Sequence, residues 1–304
     1  MALYWNGRDI TEYVNILGCI YRDSAGGRSD SLELTLDHAS TWYRWGPEED
    51  DEIVYISGSF TTGKMYLSAI LPEGDRFRVL ATSIRQAANR KAWEIFAGKT
   101  LEEIIAQCAS ECGMEGRLYG TSGSLPYPFV VRQNTGCAAF LNRLGEWEGL
   151  AVKALDGAFR CVYVPWAQQR SATQSIEISG EEDGVIYRRR ESGKYTALTV
   201  QSPYASATAR DSAAKGNNAT VVCLPAMDNA QAGRWARGLL LSNNRRAEEL
   251  ILDQVLNIGM GSLSRVDIAS SAAMAGSWIV EEAEHDFFNK RTRTRLYRVI
   301  DTIQ

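Results

Sequence analysis

Ser29-Asp30-Ser31-Leu32-Glu33-Leu34-Thr35-Leu36-Asp37 carries the first clear instruction about the fold. Leu32, Leu34 and Leu36 alternate with Glu33, Thr35 and Asp37, and a period of two marks a strand with one buried face. The segment before it, Ile16 to Arg22, is joined to it by Ser24-Ala25-Gly26-Gly27-Arg28, a hairpin turn by composition. Working outward, Ile53–Ile56, Lys64–Ile70 and Arg76–Ile84 read as further short strands. Pro72-Glu73-Gly74-Asp75 is the turn between the last two. Five or six strands at this spacing predict a small β-barrel over residues 1–90.

The period changes over residues 91–168, which read as a compact α/β module. Thr100 with Glu103 three positions on is a capping box. Leu101, Ile104, Ile105, Cys108 and Cys112 follow as one helical stripe that Gly113 ends. Gly136 to Glu148 repeats the design with Cys137, Phe140, Leu141, Leu144 and Trp147, and stops at Gly149. Leu150–Leu155 and Phe159–Val164 form a hairpin about Asp156-Gly157.

Residues 169–304 return to strands around one helix and predict a second barrel. Asp228 caps a helix with the stripe Ala232, Trp235, Ala236, Leu239 and Leu240. Arg246–Leu256 reads as a strand, and Ser277–Glu284 pairs with Thr294–Ile303 across Asn289-Lys290. The small, polar stretch Ala205–Ala219 reads as a mobile loop. The expected class is therefore α+β, two small β-barrels flanking an α/β module.

The chain has 304 residues, 45% hydrophobic and 23% charged, which excludes a disordered chain or a rod. No run of eighteen apolar residues exists to span a membrane. The charged start, MALYWNGRDITEYV, is not a signal peptide, so the protein is expected to begin near Met1 and to be made in the cytoplasm. The net charge of −4 leaves no footprint for specific nucleic-acid binding.

Candidate chemistry dissolves on inspection. Gly98-Lys99-Thr100 ends like a phosphate-binding loop, but Trp93 stands where its first glycine belongs. Gly259-Met260-Gly261 lacks the third glycine and a surrounding βαβ unit. The two histidines, His38 and His285, lie far apart in sequence and no nucleophile elbow accompanies them. Cys19, Cys108, Cys112, Cys137, Cys161 and Cys223 show no paired-ligand spacing and read as reduced, buried thiols. The acidic run Glu48-Glu49-Asp50-Asp51-Glu52 reads as a solvated loop; it lacks the opposed carboxylates of a glycosidase and the spacing of a calcium loop. Arg188-Arg189-Arg190 and Lys290-Arg291 to Arg295 read as solvated faces or inter-subunit ion pairs. No catalytic residue, metal ligand or cofactor site is assigned, and the chain is not expected to be an enzyme. Eight Trp and thirteen Tyr fit an assembly or binding protein.

Against that background, several stretches resemble one family. Tyr4-Trp5-Asn6-Gly7-Arg8-Asp9-Ile10-Thr11, Tyr21-Arg22-Asp23, Ser29 to Asp37, Trp42 and Trp45-Gly46-Pro47 look like the start of a tail baseplate hub protein. This is the late control D / XkdQ-type family of contractile phage tails and tailocins. Lys91-Ala92-Trp93 ahead of Thr100-Leu101-Glu102-Glu103-Ile104-Ile105 resembles the family's entry into its α/β module. Arg132-Gln133-Asn134, Phe140 to Leu144 and Glu148-Gly149-Leu150 resemble its second helix and following strand. Gly276 to His285 resembles the last hairpin of hub and spike proteins. Asp50-Asp51-Glu52 departs from the family's usual Gly-Asp at one turn.

The resemblance implies a homotrimer. Two similar barrels per subunit would make a ring of six that adapts a six-fold tail tube to a three-fold central spike. Implied partners are the tail tube protein and the central spike protein, with the tape measure protein and other baseplate proteins as further candidates, and no membrane. The implied setting is the bacterial cytoplasm during assembly, then the baseplate of a phage virion or tailocin. Some relatives carry a fused cell-wall hydrolase; none is expected here, since the last hairpin runs to Gln304. A peptidoglycan hydrolase or a carbohydrate-binding baseplate component, with Trp42 and Trp45 as a sugar platform, is the alternative.

Overall fold

The computed structural model describes residues 1–38, 44–179, 184–270 and 273–304. The hairpin that opens the argument is present: Ile16–Ser24 pairs antiparallel with Ser31–Leu36, with Cys19 opposite Leu34 and Tyr21 opposite Leu32. Leu32, Leu34 and Leu36 are buried, and Ser31, Glu33 and Thr35 between them are half-buried. From this hairpin the sheet extends through Arg76–Thr82, Met65–Glu73, Glu52–Ser57 and Ala2–Trp5 to an edge at Arg8–Asp9. The turn predicted at Pro72–Asp75 is tighter than its composition suggests. Pro72 and Glu73 already pair with Phe77 and Arg76, which leaves Gly74-Asp75 to reverse the chain.

The sheet also continues the other way. Ile16–Ser24 pairs antiparallel with Gly276–Asp286, putting Arg22 opposite Glu284 and Ile20 opposite Asp286. Next come Arg291–Arg298, Glu248–Val255 and Val185–Arg189, while Arg265–Ala269 and Gln174–Glu177 branch from Gly276–Asp286. The result is one 14-stranded sheet built from both ends of the chain. This corrects the expectation of two separate barrels: no pairing among the described residues closes either half. Alternation in a sequence encodes which face of a strand is buried; it says nothing about which strand occupies a free edge. Each half still has its own core. One gathers Leu3, Leu34, Tyr55, Phe77 and Phe287; the other gathers Leu250, Val266, Trp278, Val280 and Leu296.

The helical module lies against this sheet. Helices α1 (Leu101–Glu111), α2 (Cys137–Glu148), α3 (Val164–Gln169) and α4 (Asn229–Asn244) are described. Thr100 caps α1 as predicted: its hydroxyl accepts from Glu103 N and the Glu103 carboxylate accepts from Thr100 N. Gly149 ends α2 in the left-handed region at φ 73°. Leu150–Leu155 and Ala158–Tyr163 form the expected hairpin, with Asp156 and Gly157 both at positive φ. Glu115–Tyr119 adds in parallel to Ala158–Tyr163.

Asp228 caps α4 through a 2.7 Å bond from Gln231 N. This helix packs on α2, and their residues share one core with Trp147 and Trp235 in contact at 4.8 Å. The stretch read as a mobile loop instead holds two strands, Ser206–Arg210 and Asn217–Val221, on either side of Tyr195–Gln201. Ala207 and Ala209 lay small side chains under α4, so smallness here serves close packing. The final hairpin strand is Arg291–Arg298, earlier than expected; Ile303 forms a lone bridge to Asp211.

Candidate functional site

The motifs singled out in the sequence have structural work. Thr100 is occupied by its capping box, and Gly98 N donates to Tyr127 O at 2.8 Å, so no phosphate cradle forms there. Met260 is buried in the core of the second half, and Gly259 and Gly261 flank it in the connection to Arg265–Ala269. The acidic run is a built corner. Asp51 accepts from the Trp5 indole at 2.8 Å, Asn6 Nδ2 at 2.7 Å and Glu48 N at 3.0 Å; Asp50 accepts from Gln86 N at 3.0 Å. Trp45 packs on Trp5 at 5.0 Å; Trp42 lies outside the described residues. The basic runs pair within the chain across neighbouring strands: Arg188 and Arg295 each reach Glu249 at 3.0 Å, and Arg291 reaches Asp253 at 2.7 Å.

The two histidines separate cleanly. His38 is exposed in the left-handed region, where it, Asp37 and Asp75 bring their ligand atoms within 4.8 Å of one another. His285 is buried, bonds Thr292 Oγ1 through Nδ1 at 3.0 Å and stacks on Tyr21. Burial pushes its pKa down. All six cysteines are free; only Cys223 is exposed. Cys137 heads α2 and accepts from Arg132 Nη1 at 3.0 Å, and the same nitrogen donates to Glu111 at 2.7 Å. Hydrogen bonds from Cys108 and then Cys112 hold the Cys137 thiol well below its usual range, against the effect of burial.

A dense, buried polar constellation lies where the three parts of the chain meet. The turn of the first hairpin presses into the module: a Cβ on Gly26, at φ +131°, would come within 3.1 Å of Val152 N. Gly27 N donates to Asn142 Oδ1 at 3.0 Å, and Ala25 N donates to Glu281 O at 2.8 Å. Beneath this turn Lys153 Nζ, from the module, donates to Asp23 Oδ1 and to Ser262 Oγ at 2.8 Å, and lies 3.3 Å from Asp30 Oδ2. Ser262, from the last part, gives its backbone N–H to Asp23 Oδ2 at 2.8 Å. Asp30 accepts from Ser24 N at 2.9 Å and from Tyr21 Oη at 3.0 Å.

Two carboxyls face one ammonium here, out of water. Burial pushes Asp30 up to about 6, with Lys153 pulling it down and Asp23 pushing it further up. Burial would raise Asp23 too, but Lys153 and the two Ser262 donors outweigh it and hold that carboxyl low. Sequence reading assigned no role to Asp23, Asp30, Lys153 or Ser262. A signal existed: Asp23 follows Cys19 and Tyr21 on an inward phase, and Lys153 interrupts the apolar run Leu150 to Leu155.

A cleft of about 770 Å³ opens between the module and the second half of the sheet, with Arg234, Arg237, Arg265 and Arg298 on its walls. Its one carboxylate at the α2–α4 contact, Glu148, is committed to Trp235 Nε1 at 2.8 Å and Arg234 Nε at 3.0 Å. That carboxylate is therefore not free for acid–base work.

No protein-family model matches the chain, and no curated protein matches it in sequence. Solved structures do match in fold. The 43 kDa tail protein of prophage MuSo2 from Shewanella oneidensis superposes with a TM-score of 0.73 at 11% identity, over 98% of this chain and 97% of that one. The tail protein from Neisseria meningitidis MC58 gives 0.74 at 9% identity, over 98% and 95%. The E. coli c3393 protein, a type VI secretion component described as structurally similar to the T4 bacteriophage tail proteins gp27 and gp5, gives 0.60 at 9% identity over 99% and 77%. The chain thus has, end to end, a fold found in phage tail proteins. No helix among the described residues is long and apolar enough to cross a membrane.

Proposed function

We propose that this protein is the baseplate hub of a contractile phage tail or tailocin, a trimeric ring that joins the six-fold tail tube to the three-fold central spike. The observation that carries the reading is the end-to-end match to two tail proteins over 98% of this chain. The architecture supports it. Each chain carries two strand-rich units with separate cores, side by side on one sheet. Three such chains would present six units to a six-fold tube and three-fold contacts to a spike. Tube and spike proteins are then its main partners, with tape measure and other baseplate proteins as further neighbours. It would act by binding rather than catalysis, first in the bacterial cytoplasm and then in the particle.

Light scattering on the purified chain, alone and mixed with its spike partner, tests this. A mass near three times 33.7 kDa in either sample is expected. A monomer in both samples refutes the self-assembling ring.

A further inference from the structure

Lys153 Nζ, Asp23 and Asp30 have the makings of a bond-forming site. Their side chains are 10%, 11% and 1% exposed, and the amine touches both carboxyls. With two acids and one base removed from water, Asp30, the deeper of the two carboxyls, is pushed up to about 6 and holds a proton in a fraction of the molecules near neutral pH. Burial acts against the charged forms of Lys153 and Asp23, an effect that their mutual attraction outweighs. An amine held against a carboxyl, beside a third group able to carry a proton, has the proximity and the acid catalyst that amide formation requires. Two further donors are in place: Ser262 N on Asp23 Oδ2 and Ser262 Oγ on Asp23 Oδ1.

We propose that Lys153 and Asp23 condense into a side-chain amide, with Asp30 relaying the proton, so that the mature chain carries a covalent link between its first hairpin and its helical module. The ammonium first passes a proton to Asp23 Oδ1, which leaves a neutral amine beside a neutral carboxyl. The nitrogen lone pair attacks Asp23 Cγ; the N–C bond forms and Oδ2 takes the negative charge, facing the Ser262 N–H. Asp30 gives its proton to the departing Oδ1 hydroxyl and recovers one from the nitrogen. The Cγ–Oδ1 bond breaks, Oδ1 leaves as water and Oδ2 becomes the amide carbonyl. One ammonium and one carboxylate become one amide and one water. Nothing is oxidised or reduced, and Asp30 ends as it began. The product replaces a buried charge pair, costly to keep out of water, with a neutral group that retains the Ser262 hydrogen bond.

The bond does not depend on the hub assignment and is read separately from it. The intact mass of the full-length chain, measured under denaturing conditions, is expected to be lower than the sequence mass by one water. Proteolysis is expected to yield a branched peptide joining the Asp23 and Lys153 segments. Lys153→Met and Asp30→Asn are each expected to return the chain to its full sequence mass, with far-UV circular dichroism reporting whether they fold. Wild-type protein at its full sequence mass overturns the proposal. So does a water loss that persists in Lys153→Met, which would place it elsewhere, for example as a succinimide at Asp156-Gly157. Should neither variant fold, absence of the branched peptide from wild-type digests is still decisive against it.

Discussion

Asp50 sits at φ +67°, a conformation that costs an ordinary side chain about 1 kcal/mol but that Asp and Asn tolerate. The turn is held because Asp50 also accepts from Gln86 N at 3.0 Å. Asp50→Asn is expected to be near neutral. Asp50→Ala is expected to lose about 1–2 kcal/mol of stability, read from urea midpoints. His285 allows a pH test. Its folded pKa lies below the unfolded value of 6.5, so the unfolded chain binds the proton more readily and stability falls as pH drops through that value. Asp30 works the opposite way: raised to about 6, its contribution is complete in acid and is lost as pH climbs through that value. The difference between wild type and His285→Leu isolates the imidazole. From about pH 7 to pH 5 the variant is expected to lose less stability than wild type; equal slopes would show the histidine is not the source.

Among the elements, α1 and α4 have side-chain caps placed by local sequence, and α2 is stopped by Gly149. Thr100→Ala removes the hydroxyl half of the capping box, leaving the Glu103 carboxylate on the backbone N–H of residue 100, and is expected to lower stability by about 1 kcal/mol, measurable as a shift in denaturant midpoint. The contact between α2 and α4 is less forgiving. A Cβ on Gly238 would overlap the Trp147 carbonyl and the Gly149 amide, both backbone groups that cannot swing away. Gly238→Ala is therefore expected to cost about 1–3 kcal/mol, although alanine is the better helix former. A melting temperature equal to wild type would mean the helices part more easily than their packing implies. By contrast Arg22 and Glu284, though 2.7 Å apart across the join of the sheet, are each more than a third exposed. Solvent screening leaves such a pair worth well under 1 kcal/mol.

For the whole molecule, the join between Ile16–Ser24 and Gly276–Asp286 makes the two ends of the chain one mechanical object. The polar junction of Asp23, Asp30, Lys153 and Ser262 ties the module to both. Unfolding is therefore expected to be a single cooperative transition, with tryptophan fluorescence and far-UV circular dichroism tracing coincident curves in denaturant. Separate transitions would show that the halves fold independently despite the shared sheet. A subunit tied together in this way would suit the ring proposed above.

Local physics was written into the residues. The leucine alternation of Leu32 to Leu36, the Thr100–Glu103 box, the Asp156-Gly157 turn and the Asp228 cap each depend on neighbours within a few positions, and each appears as read. Tertiary structure alone decided what crosses long distances in sequence. Residues 16–24 meet 276–286, Lys153 meets Asp23, and alanines that read as loop become the floor under α4. A strand carries a hydrogen-bonding edge on each side whatever its side chains, and a buried charge is tolerated only where a partner arrives from elsewhere. Neither condition leaves a period in the sequence.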